Sequence, residues 1–172
     1  MTFISQRFRH VLSTQGFSER NSLFRAEEEE FTSERFVGTW KLISYEMRSD
    51  DDQVTYPLGK DPVGYLMYSR EGYMSASLMA SKRPRFLSMD MLKATTEEIV
   101  AAFGTYVAYC GKYKVTEDKV THLVEVSIFP NWVGGKQERL YKFEDDELTL
   151  STPPMLLGGK QQISYLIWKK TK

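Results

Sequence analysis

Between Val120 and Trp132 the chain carries a strand whose two faces differ, followed by an abrupt stop. His122, Val124, Val126 and Ile128 fall on one face, and Thr121, Leu123, Glu125, Ser127 and Phe129 on the other, at the period of two that marks a half-buried β-strand. Pro130 has no N–H to give a neighbouring strand, so Asn131 and Trp132 begin a corner. The outcome is one imidazole on an otherwise aliphatic face, with an indole at the strand's exit. A sheet curled around that face encloses an apolar pocket holding a single titratable group.

The remaining sequence supplies such a sheet. Strand-like segments run from Phe36 to Met47, then from Val54, Val63 to Ser69, Tyr73 to Met79, Tyr106 to Val115, Gln137 to Phe143, Glu147 to Ser151 and Gln161 to Lys169. Short polar or glycine-containing turns join many of them: Arg70-Glu71-Gly72, Thr116 to Lys119, Glu144 to Asp146, and the pairs Gly134-Gly135 and Gly158-Gly159. Such a succession is an antiparallel meander, and a long meander removes its exposed edges by closing into an up-and-down barrel. One helix interrupts it. Thr95 and Glu98 form a capping box ahead of the apolar face Ile99, Ala102 and Phe103, and Gly104 ends it. That helix either caps one end of the barrel or packs outside its wall; as a lid, it would bring Arg83 and Arg85 to the entrance.

The expected division is an N-terminal extension, residues 1–35, and a barrel domain, residues 36–172. Ile4, Phe8, Val11 and Leu12 have helical spacing, so the extension is expected to be a short helix or mobile, and it offers a route to a homo-oligomer. Glu27 to Glu30 reads either as the first turn of a helix leading to Phe36 or as a solvated acidic run.

Charge removes several partners. Lys plus Arg and Asp plus Glu each number 23, so no net field draws the chain to nucleic acid or an acidic membrane. No apolar run approaches the roughly 18 residues of a membrane span, and Arg7, Arg9 and His10 break up any signal-like segment. A single cysteine, Cys110, suits a reducing compartment, so a cytoplasmic protein is expected. With one histidine in the barrel region no His/Cys metal cluster is expected, and the glycine patterns of nucleotide sites are absent. No cofactor is implied.

Gly38-Thr39-Trp40 at the head of the first strand matches the Gly-x-Trp of the lipocalins and wider calycins. With it go Val37 to Tyr45, Asp61 to Tyr68, Gly72 to Ala76, Tyr106 with Tyr109, Gly111-Lys112-Tyr113, His122 to Trp132 and Leu148 to Pro154. From Phe36 to Trp168 the chain thus resembles the bacterial and fungal lipocalin-like domain family. The resemblance implies a small calycin barrel with an internal cavity, of a kind often found in secondary metabolism, where some barrels bind apolar ligands and others act as cyclases or isomerases. The lipocalin basic residue that packs on the first-strand tryptophan would have to be supplied by Lys169 or Lys170.

Alternation along the strands nominates the pocket. Glu138, Leu140, Lys142 and Glu144 form an outward set, leaving Arg139, Tyr141 and Phe143 inward; Val107, Tyr109, Gly111, Tyr113 and Val115 make the apolar face of their strand. His122, Arg139, Tyr109, Tyr113 and Tyr141 are therefore expected to converge, with Val124 on the histidine's face. Trp40 and Trp132 line the same space, and Tyr65 and Met67 lie across from them. A binding pocket of this kind takes a small, largely apolar molecule, aromatic or polyketide-like. The catalytic alternative is a cyclase or isomerase. In it His122 moves a proton, while Arg139 and Tyr109 steady a developing oxyanion. Two plainer readings stand beside these. His122 satisfies a backbone carbonyl and Arg139 pairs with Glu125 or Glu46, or the barrel is filled by its own side chains, Met67, Met74 and Met79 among them.

Overall fold

The computed structural model describes residues 32–51, 53–157 and 159–172; the expected N-terminal helix, the acidic run Glu27 to Glu30 and the proposed oligomer contact lie outside them. Ten strands are present among these residues: β1 (Gly38–Ser49), β2 (Val54–Thr55), β3 (Val63–Tyr68), β4 (Tyr73–Met79), β5 (Tyr106–Val115), β6 (Lys119–Ser127), β7 (Lys136–Glu144), β8 (Glu147–Ser151), β9 (Met155–Leu157) and β10 (Lys160–Lys170). Each long strand pairs antiparallel with the next, and β10 returns to pair with β1 from Trp40↔Lys170 to Ser49↔Gln162. Eight strands thereby close a barrel, with β2 and β9 as short additions on β1 and β10. No helix is long and apolar enough to cross a membrane among the described residues.

The closed end is packed with aromatic rings. Residues 32–36 form a helical turn, and β1 begins only at Gly38, so Phe36 belongs to a plug and not to the first strand. Its ring is fully buried, edge-on to Tyr68 (5.2 Å), Tyr141 (5.0 Å) and Phe143 (4.9 Å). Trp40 Nε1 donates to the Phe36 carbonyl at 2.7 Å, so the first-strand indole holds the plug in place. Lys170 supplies the expected cation: its Nζ stands 5.0 Å from the Trp40 ring centroid and donates to the Arg35 carbonyl at 3.1 Å.

Two bulges reset the alternation. On β1 the register shifts between Leu42 and Ser44, so Trp40 and Leu42 are buried above the bulge and Met47 below it. On β6 Glu125 is the extra residue: Gly111 pairs with Val124 while Cys110 pairs with Val126. Val126 therefore leaves the face shared by His122 and Val124 and is 63% exposed, contrary to the uninterrupted alternation read from the sequence. Gly111 permits this crossing, because a Cβ there would lie 2.0 Å from the Leu123 carbonyl oxygen.

The helix Thr96–Gly104 has the expected capping box: Glu98 N–H donates to Thr95 Oγ1 (3.2 Å) and Thr95 N–H to Glu98 Oε2 (2.8 Å). It packs outside the wall. Ile99, Val100 and Phe103 are about half exposed or more, and no residue of the helix lines the cavity. Arg83 does not wait at an entrance either, since its guanidinium donates to Ala102 O (3.0 Å) and Thr105 Oγ1 (3.2 Å) at the helix C-terminus.

Candidate ligand-binding site

Above the aromatic plug the barrel is hollow. A cavity of about 120 Å³ is walled mainly by apolar groups, among them Leu66, Leu78, Leu150, Leu166, Trp132 and Trp168. Its polar contributors are Tyr45, Tyr109, His122, Gln137, Arg139, Thr152 and Ser164. Its scale is that of a space accepting one benzene-sized ring, about 150 Å³, and it is well below the roughly 300–1,000 Å³ of a drug-sized pocket.

His122 sits on β6 opposite β5 and is 1% exposed. Both ring nitrogens are engaged by phenols. The Tyr68 hydroxyl lies 2.7 Å from Nε2, and the Tyr109 hydroxyl 2.9 Å from Nδ1. No backbone carbonyl is its partner among the described residues. Burial, aided by the Arg139 charge, lowers the imidazole pKa to about 3, so the ring is neutral at physiological pH. Burial likewise pushes both phenols up, Tyr68 well above its ordinary value and Tyr109 less, because the adjacent Arg139 opposes the rise by charge and hydrogen bonding.

Arg139 reaches the cavity from β7, with one guanidinium nitrogen donating to the Glu138 carbonyl (2.7 Å) and the other to Gln137 Oε1 (3.1 Å). It has no carboxylate within ion-pair distance among the described residues. Glu46 is taken by Arg48, and Glu125 is the bulged residue of β6. Trp132 stands on the one-turn helix Pro130–Trp132, edge-on to Tyr109 at 5.7 Å.

Of the residues nominated from sequence, His122, Arg139, Tyr109 and Trp132 meet at the cavity. The others do not line it. Trp40 and Tyr141 belong to the packed end, with the Tyr141 hydroxyl donating to the Thr116 and Glu117 carbonyls. Tyr113 packs on Tyr68 and donates to the Ser69 carbonyl, and Val124 is buried in the core. Tyr65 and Met67 point outward, 46% and 45% exposed, because Tyr65 pairs with outward Lys41 while Leu66 pairs with buried Trp40. Tyr68, Trp168 and Gln137 were missed. Tyr68 follows from the same pairing: once Trp40 is placed inside, the even-numbered residues of β3 must be inside too.

A family model described as "Lipocalin-like domain" matches residues 37–171. The chain is also similar to the 4'-hydroxy-3'-methoxypropiophenone carrier protein ppsC of Aspergillus oryzae (strain ATCC 42149 / RIB 40). The two are 39% identical over 106 residues, a match spanning 56% of this chain and 96% of the relative.

Proposed function

The chain belongs to the lipocalin-like domain family, and from that premise we propose that it is a carrier whose cavity holds a single-ring aromatic molecule with short substituents. The observation that carries this reading is the barrel's unequal filling: rings pack one end solid, while the other keeps an apolar hollow of about 120 Å³. Self-filling by methionine does not describe this interior, since Met67 faces outward and neither Met74 nor Met79 lines the hollow. The relative's named cargo, one ring with a ketone, a phenol and a methoxy group, has the matching single-ring character. A single cysteine suits the reducing cytoplasm as the place of action.

The cyclase or isomerase alternative gains little from the geometry. A general base works best with a pKa near the operating pH and a free lone pair. His122 has neither: its pKa lies at about 3, and each nitrogen already faces a phenol.

Titration with 4'-hydroxy-3'-methoxypropiophenone, followed by tryptophan fluorescence, tests the proposal. Trp132 and Trp168 line the cavity and Trp40 does not, so saturable quenching is expected and should shrink when both lining tryptophans are replaced by phenylalanine. The absence of any saturable change with this and other single-ring ketones would refute the carrier reading.

A further inference from the structure

A neutral imidazole has one nitrogen bearing hydrogen and one bearing a lone pair, so its two phenol partners play opposite roles. In one arrangement Tyr109 donates to Nδ1, and Nε2–H donates to Tyr68. The Tyr68 hydroxyl hydrogen is then stranded: His122 is that hydroxyl's one hydrogen-bond partner among the described residues, and the ring is wedged between Phe36, Tyr113 and His122. In the other arrangement Tyr68 donates to Nε2 and Nδ1–H donates to the Tyr109 oxygen. Only the Tyr109 hydroxyl hydrogen is then left over, and Tyr109, unlike Tyr68, lines the cavity. Burying an unpaired donor is costly, so the second arrangement is the stable one.

A second donor faces the same problem. Trp168 lines the cavity, is 1% exposed, and its indole N–H has no hydrogen-bond partner among the described residues. Arg139, without a carboxylate among those residues, adds positive charge to the same wall. The wall of the hollow thus holds two donor hydrogens without a partner among the described residues and a cation, beside the polar groups of Tyr45, Gln137, Thr152 and Ser164.

We propose that the cavity recognises an acceptor oxygen, a ketone carbonyl above all, on its aromatic ligand. Tyr109 O–H and Trp168 Nε1–H make the bonds, and the Tyr68–His122 pair holds Tyr109 in the donor state. The proposal rests on the carrier reading and adds to it what the pocket selects.

Two experiments test it. In the ligand-free protein, a long-range ¹H–¹⁵N spectrum of ¹⁵N-histidine reports the tautomer directly, with His122 assigned by its absence in His122→Gln. A protonated Nδ1 and a bare Nε2 are expected; the reverse would overturn the proposal. Calorimetry then compares propiophenone with propylbenzene, which has methylene in place of the carbonyl. The ratio of their affinities should fall about tenfold in Tyr109→Phe and again in Trp168→Phe. An unchanged ratio in both variants refutes the donor assignment while leaving the carrier reading intact. Failure of both compounds to bind the parent protein would remove the carrier reading itself.

Discussion

His122 makes folding sensitive to acid in a window where few other groups titrate. Its pKa falls from an ordinary 6.5 to about 3 in the folded barrel. Above pH 6.5 both states are neutral and its contribution is fully present. Below that, the unfolded chain takes up a proton that the folded chain refuses, so stability is lost as the pH falls from 6.5 towards 3. At about 1.4 kcal/mol per pH unit, the loss reaches about 2 kcal/mol at pH 5 and about 5 kcal/mol across the whole window. Carboxylates that fold with lowered pKa, Glu71, Glu98 and Asp51, begin to lose their contributions only below their ordinary values of 4.5, 4.5 and 3.8. Urea unfolding at pH 7.5 and pH 5.0, in the parent and in His122→Gln, isolates the effect. The parent should lose about 2 kcal/mol more than the variant over that interval. Equal losses in the two proteins would refute the linkage between burial of this ring and stability.

Three other outcomes follow from the packing. Phe36→Ala removes a fully buried ring with three edge-on partners and should cost about 4 kcal/mol in denaturant unfolding. A loss below about 1 kcal/mol would deny the plug its role. Gly111→Ala puts a Cβ 2.0 Å from the Leu123 carbonyl oxygen and should destabilise by about 3 kcal/mol or more; a melting temperature equal to the parent's would contradict that crossing. Tyr65→Ala and Met67→Ala face solvent, so titration should give parental affinity, whereas a tenfold loss would place them inside.

The strand periods, the short turns and the capping box were legible because each is a local property of a few neighbouring residues. A closed calycin-type barrel followed from their succession together with the Gly38-Thr39-Trp40 motif, and the barrel found has that form. Arg139 and Tyr109 were placed correctly because their strands have one clearly polar and one clearly apolar face. On β3 both faces are apolar, so only the cross-strand partner of Trp40 decides that Tyr68 turns in and Tyr65 out. Bulges are harder still. One extra residue, Glu125, reverses everything beyond it, and the cause is a backbone approach at Gly111 on the neighbouring strand. The division of the interior was equally hidden, since it depends on Phe36 entering one end from outside the meander.

The most direct measurement is a set of intermolecular nuclear Overhauser contacts between propiophenone and the side chains of a selectively labelled protein. Contacts to Trp132, Trp168 and Leu78, with none to Trp40 or Phe36, are expected if the hollow above the aromatic plug is the binding site. Contacts confined to the exposed face of the Thr96–Gly104 helix, or to Tyr65 and Met67 on the outer wall, would contradict it.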